Sequence, residues 1–262
     1  MTPIPQASAM PAFAPLFAVG REEVDVEWMT IVYPTDPEML RRVLPAPLRL
    51  GEEPEVGVWM ALFKNAAFLS KAGGVETRPA YWQAGVSVRC AREDVEGAYA
   101  LCTYVEGLNH GILGRELFGL PKKQVRRASF AREGGKAALG IDLASGHRLL
   151  RADVRFDPGT GTGAPAPNWF EQHFTLKLIP SAEGDGFDVS RLVEIPWRFT
   201  ESRELLAGSA ELRWQEIPSD PLHLLDVRGE ARVRYGESRL GIDFGVYRED
   251  VTAFESFGVP SW

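Results

Sequence analysis

Apolar and polar residues alternate along much of this chain. Leu150-Arg151-Ala152-Asp153-Val154-Arg155-Phe156 sets apolar side chains on one face and charges on the other, Ala231-Arg232-Val233-Arg234-Tyr235 repeats the pattern, and Ile242, Phe244 and Val246 continue it. A period of two is that of the half-buried antiparallel strand. The same reading predicts strands at about 24–33, 55–63, 83–90, 98–105, 123–131, 137–143, 173–179, 192–199 and 209–215.

Helical signals are few. Thr35-Asp36-Pro37-Glu38 reads as a capped helix start with proline at an early position, and the helix should stop before Pro45. A second short helix is predicted from Gly111 to Phe118, with Asn109 as its cap, ended by Gly119 and barred from continuing by Pro121. A third is predicted near Ser219 to Asp226. The expected class is α+β, mostly antiparallel β, as one domain over residues 21–262.

Composition sharpens this picture. Gly and Pro supply 26 and 19 of the 262 residues, above the roughly 12% of average proteins, which suits many turns between short strands. Residues 1–20 carry Pro3, Pro5, Pro11 and Pro15 and lack a basic start, so they read as an extended arm against a partner subunit rather than a signal peptide. The formal charge is −7, which argues against a nucleic-acid binder. The longest apolar stretch, Gly57 to Phe63, is too short to span a bilayer. Two cysteines, Cys90 and Cys102, make no disulfide framework, although they could meet across a hairpin; nothing points to an oxidising compartment, and a cytoplasmic protein is expected.

Familiar catalytic constellations are missing. His110, His147, His173 and His223 lie in no zinc-type spacing, and there is no Gly-x-Ser-x-Gly turn. Gly159-Thr160-Gly161-Thr162-Gly163 lacks the Lys-Ser/Thr of a phosphate loop and is followed by Ala164-Pro165-Ala166-Pro167 instead of a helix. No metal and no cofactor is expected.

One segment stands out: Gly114-Arg115-Glu116-Leu117-Phe118-Gly119-Leu120-Pro121-Lys122-Lys123. Two lysines that open a strand point to opposite faces, so one can enter the interior beside Phe118 and Leu120. Burial would lower its pKa, and a neutral amine can attack a ketone to form a Schiff base. From Arg115 to Lys136 there are seven basic and two acidic residues, a local +5, which would lower a lysine pKa further and attract a carboxylate substrate. The same charges would also suit a solvent-facing edge strand.

This stretch closely resembles the signature of the acetoacetate decarboxylase superfamily, in which a similar Gly-Arg-Glu-Leu-x-x-x-Pro-Lys-Lys run carries the Schiff-base lysine first in the pair. Activation of a lysine by desolvation or by a neighbouring cation is already described for acetoacetate decarboxylase. Ile31-Val32-Tyr33-Pro34-Thr35-Asp36, the helix ending at Leu44-Pro45, and Phe174-Thr175-Leu176-Lys177-Leu178-Ile179-Pro180 resemble other parts of the family, so the likeness covers about residues 24–247. It implies a barrel-like or double-sheet fold with short helices, a homo-oligomer built from dimers, Lys122 as nucleophile and Lys123 as its neighbour. It also implies a pocket arginine and two glutamates. Relative to Ile31-Val32-Tyr33, Met60-Ala61 and Lys122, the resemblance places Val26 at the arginine position and Val58 and Gln83 at the glutamates, so the charged pocket residues look lost. Gln83 remains a pocket candidate after Tyr81 and Trp82.

With the carboxylates gone, the resemblance points to the superfamily's non-decarboxylating members: a Schiff-base lyase of the aldolase, dehydratase or hydratase type on a small 2-oxo acid such as pyruvate. The alternatives are a β-keto-acid decarboxylase and a non-catalytic binding protein. Tyr247 and Tyr81 are the candidate proton carriers. Arg115 and Glu116 are expected to support the lysine turn, with Glu116 as a buried partner of Arg115.

Overall fold

The computed structural model describes residues 20–70, 73–107, 112–158, 167–252 and 254. The predicted arm (apart from Gly20), the cap at Asn109, His110 and the Gly159–Gly163 segment lie outside the described residues. Thirteen strands are described: β1 Gly20–Pro34, β2 Arg49–Leu50, β3 Glu55–Ser70, β4 Val75–Arg78, β5 Tyr81–Arg92, β6 Val95–Glu106, β7 Lys122–Glu133, β8 Lys136–Leu143, β9 Arg148–Phe156, β10 Gln172–Pro180, β11 Phe187–Trp214, β12 Ala231–Ile242 and β13 Val246–Asp250. Two α-helices accompany them, α1 Pro37–Val43 and α2 Ile112–Phe118.

Hydrogen-bonded pairing runs β6-β7-β8-β9-β11-β12-β1-β3-β5 and returns to β6, which closes a barrel-like circuit. Strand β10 bridges β6 and β11, making a second, smaller circuit through the same shared strands. Closure leaves few unpaired edges. Most pairs are antiparallel; β6 runs parallel to both β7 and β10.

The alternation of the sequence sorts the apolar side chains into two cores on opposite faces of the shared strands. In β1, Met29, Ile31 and Tyr33 enter one core, while Val24, Val26 and Trp28 enter the other. In β3, Val56, Val58 and Met60 join the first, and Trp59, Ala61 and Phe63 the second. The first core fills the space under β7, β8 and β9; the second is covered by α2 and by the 3-10 turn Asn168–Phe170.

Several local expectations changed in the folded chain. Asp36, rather than Thr35, caps α1 by accepting from the Glu38 N–H at 3.0 Å. Segments 192–199 and 209–215 are parts of one 28-residue strand, β11, which changes partners from β10 to β9 along its length. The helix expected near Ser219 to Asp226 is only a 3-10 turn, Leu222–Leu224. Asp220, which could have capped a helix there, instead accepts from Tyr104 and Lys123, both at 2.8 Å. Cys90 and Cys102 are both free and buried. They do not face each other: Cys90 pairs with Gly97 and Cys102 with Val86.

Candidate active site

The turn between α2 and β7 places the lysine pair. Gly119 sits at φ +75°, a conformation open to glycine at little cost. It ends the helix with its N–H on the Arg115 carbonyl at 2.9 Å, and Leu120 N–H reaches the Gly114 carbonyl at 3.2 Å. Thr175 donates to the Phe118 carbonyl at 2.5 Å, and Lys177 to that of Leu117 at 3.3 Å. Pro121 then accepts from Thr103 N–H at 3.1 Å, which locks the start of β7 beside β6. Arg115 supports the turn through the backbone, its Nη1 donating to the Lys122 carbonyl at 2.9 Å. Glu116 is exposed, not the buried partner that was expected: the helix turns residue 116 outward while Leu113, Gly114 and Phe118 face in.

Lys122 and Lys123 diverge, as neighbours on a strand must. Lys123 is bound to Asp220 at 2.8 Å and to the Ser219 carbonyl at 3.0 Å, on the wall of a cavity of about 330 Å³. Lys122 enters a different, smaller cavity of about 40 Å³, room for about three waters. Phe118 and Leu120 line it as expected, together with Glu22, Arg78, Tyr81 and Gln83.

Glu22 and Arg78 are the residues that sequence reasoning missed. Glu22 lies on β1 in a row with Phe68 of β3 and Ile242 of β12. It sits on the same face as Val24 and Val26, a charge in phase with apolar neighbours, which was the available signal. Arg78 closes β4, a strand not anticipated, although Gly73-Gly74 before Val75 is a hairpin signal. Arg78 is 9% exposed, lies over the Phe68 ring at 3.7 Å and pairs with Glu76 at 3.3 Å.

These groups set the charge of the amine. Desolvation pushes the Lys122 pKa down to about 8; Glu22 opposes the fall and Arg78 adds to it. The lowering cation is therefore Arg78, not Lys123, whose charge faces Asp220 on the other side of the strand. Burial raises the Glu22 carboxyl above its ordinary value, with Lys122, Arg78 and Tyr81 holding it partly back. Tyr81 points its hydroxyl at Glu22 from 3.5 Å, the outer limit of a hydrogen bond, and burial keeps it a neutral phenol. Gln83 is 4% exposed, and its Oε1 has no hydrogen-bond partner among the described residues. The cavity thus holds a reactive amine, a guanidinium, a carboxyl with raised pKa, a phenol and a spare amide acceptor.

Labelling of Lys122 by a small acylating reagent should follow a titration near pH 8. The midpoint should move up in Arg78→Gln and down in Glu22→Gln, because the two charges act on the ammonium with opposite signs. Peptide mass spectrometry across pH reads both shifts; equal midpoints in the two variants would contradict this electrostatic assignment.

Other expected pocket residues lie elsewhere. Val58 is buried in the first core, on the opposite face of β3 from Phe63. Val26 is on the correct face of β1 but four residues beyond Glu22, about 13 Å along the strand, and it lines another cavity. Trp82 alternates away from Tyr81 and Gln83 and packs on Phe130, ring centroids 4.9 Å apart. Tyr247 is 51% exposed and accepts from Lys177 at 3.1 Å, outside the Lys122 cavity. It sits on β13, which pairs with the outer part of β11 and does not reach the lysine.

Comparison with known proteins bears on this geometry. The family model for acetoacetate decarboxylase matches residues 2–251. The acetoacetate decarboxylase of Burkholderia vietnamiensis is 32% identical over 255 residues, covering 92% of this chain and 95% of that protein. With the acetoacetate decarboxylase of Paraburkholderia phytofirmans the match is shorter, 31% over 118 residues, so the aligned part spans under half of that relative, 43%. Among solved structures, acetoacetate decarboxylase from Legionella pneumophila superposes with a TM-score of 0.77 at 19% identity, covering 92% of this chain and 93% of that one. The enduracididine biosynthesis enzyme MppR, complexed with pyruvate, superposes at 0.76 with 18% identity, covering 90% and 93%. At these identities the structures establish the shared fold, and the family model over nearly the whole chain establishes the rest: this chain belongs to the acetoacetate decarboxylase family.

Proposed function

We propose that the protein is a Schiff-base lyase that acts on a small 2-oxo acid through Lys122. The observation that carries this reading is the company of Lys122: a guanidinium and a carboxyl share its cavity. The cavity does not lack a carboxyl as the residues at Val58 and Gln83 suggested, because Glu22 supplies one from an unanticipated position.

The steps follow from these groups. The neutral amine of Lys122 attacks the C2 ketone, and loss of water leaves an iminium. Arg78 holds the substrate's C1 carboxylate as a charge-assisted pair. The iminium draws electrons from C3, and Glu22, whose carboxyl lines the same cavity and whose pKa burial raises, takes the C3 proton as general base to leave an enamine. The enamine adds to an aldehyde carbon, whose oxygen takes the proton held by Glu22, or expels a C4 hydroxyl, which leaves as water with that proton. Gln83 accepts from the hydroxyl or amine N–H formed on the way. Water then releases the product and restores the lysine.

A permanent cation on the substrate carboxylate stabilises it as a carboxylate, which favours reactions that keep that group over reactions that expel it as carbon dioxide. The small cavity suits an acid of three or four carbons, and the pyruvate complex of MppR supports the same substrate class. A second reading, a β-keto-acid decarboxylase, draws on the names of the full-length relatives and on Glu22, which could protonate the enamine left after carbon dioxide departs.

Borohydride reduction in the presence of pyruvate is expected to trap a covalent adduct on Lys122, detectable as a mass shift on its peptide and absent from Lys122→Ala. No adduct on the native chain, or one that survives in the variant, would overturn the proposal. Rapid release of carbon dioxide from acetoacetate, lost in Lys122→Ala, would select the decarboxylase reading.

A further inference from the structure

The even-numbered face of β1 does not end at the reactive cavity. It runs from Glu22 through Val24 to Val26 and Trp28, and there it lines a second cavity of about 30 Å³. Trp59, Phe170, Phe199 and Leu240 complete much of its wall. Two residues line both spaces, Phe63 and Trp197.

Both rings are held in place. Phe63 stacks on Tyr81 with centroids 5.0 Å apart and planes 17° from parallel. Trp197 lies against Trp59 at 5.9 Å, edge on, and against His173 at 3.7 Å, stacked. They form a rigid partition between a chamber with charges and a chamber walled by hydrocarbon.

We infer that Phe63 and Trp197 determine substrate length in this enzyme, by closing the hydrocarbon-lined cavity behind them to an apolar substituent on the substrate carbon remote from the carboxylate. The inference rests on the Schiff-base reading for its chemistry and on the shared walls for its geometry. With the partition in place, a chain longer than three or four carbons meets the Phe63 ring. Removing that ring joins the two spaces, and each methylene then carried out of water is worth about fourfold in affinity.

The test compares trapping of pyruvate and of 2-oxohexanoate by borohydride in the native chain and in Phe63→Ala, with Phe63→Leu as the milder variant should alanine fail to fold. The ratio of 2-oxohexanoate adduct to pyruvate adduct is expected to rise about tenfold or more in Phe63→Ala, and about threefold in Phe63→Leu. An unchanged or lower ratio overturns the inference while leaving the Schiff-base reading intact. If the native chain traps neither acid, it is the Schiff-base reading that fails, and a binding measurement decides the cavity. Butylbenzene, too long for the space of one phenyl ring, should raise the melting temperature of Phe63→Ala by about 2 °C and leave the native chain unmoved. No difference between the two chains would overturn the shared-cavity assignment.

Discussion

Lys122→Met is expected to eliminate the covalent adduct and, at the same time, to make the protein more stable at neutral pH. The thioether side chain matches the lysine stem in length, so no cavity opens. What disappears is a cost. In the unfolded chain the ammonium titrates at its ordinary value of 10.5, and in the folded chain at about 8. Below pH 8 both states carry the charge and the folded state bears the full penalty, roughly 3 kcal/mol. Between about pH 8 and 10.5 the unfolded state still binds a proton that the folded state has released, so native stability rises with pH across that window. Above it the penalty is gone. The stabilisation by methionine should therefore be greatest at pH 7 and vanish toward pH 10.5. Urea midpoints of both proteins at the two pH values measure it. A difference that does not depend on pH would mean that the lysine is not desolvated in the folded state. Active sites commonly hold such unfavourable groups because function requires them.

Gly114→Ala is expected to give a similar pair of effects for a different reason: adduct formation down about a hundredfold, stability unchanged or slightly up. Gly114 lies on the inner face of α2. A methyl group there would stand 2.8 Å from Lys122 Cε and 2.9 Å from its Nζ, closer than atoms tolerate. The helix itself would accept alanine gladly, since glycine is worth about 1 kcal/mol less in a helix. The lysine must give way, because its end is flexible, and it gives way by moving the reacting atom. Melting temperature and borohydride trapping, measured side by side, separate the two effects. Adduct formation within threefold of the native rate would show that the amine has another productive position. Gly119 is the contrasting case. A methyl there would meet the Lys177 Cα at 2.3 Å and would have to adopt φ +75°, so its replacement disturbs the backbone turn and not just one side chain.

The lysine pair was legible in the sequence because its meaning is local. A short helix, a glycine in the left-handed region, a proline and a strand start are all read from ten consecutive residues, and strand geometry alone sends Lys122 and Lys123 to opposite faces. The strands were legible for the same reason: a period of two records which face is buried, and the sorting of Met29, Ile31 and Tyr33 from Val24, Val26 and Trp28 follows it without exception. Strand ends are less well marked. The reading that started the first strand at residue 24 stopped two residues short of Glu22 and so lost the carboxyl.

The partners of Lys122 depend on register and on closure, which alternation cannot give. Glu22 reaches the cavity because β1 pairs with β12 at Ile242 and with β3 at Phe68, contacts between residues more than forty and two hundred positions apart. Val26 obeys the same face rule and still misses the cavity by one full turn of the alternation and another, a displacement along the strand that periodicity leaves undefined. Arg78 comes from a four-residue strand that pairs with β3. The sequence by itself determined the fold class, the lysine pair and the face that Lys122 enters, because those follow from neighbours along the chain. Only the tertiary structure decided which charges surround the amine, which lysine they act on, and that two aromatic rings divide the chamber from its hydrocarbon neighbour, because pairing register and barrel closure bring together residues that the chain keeps far apart.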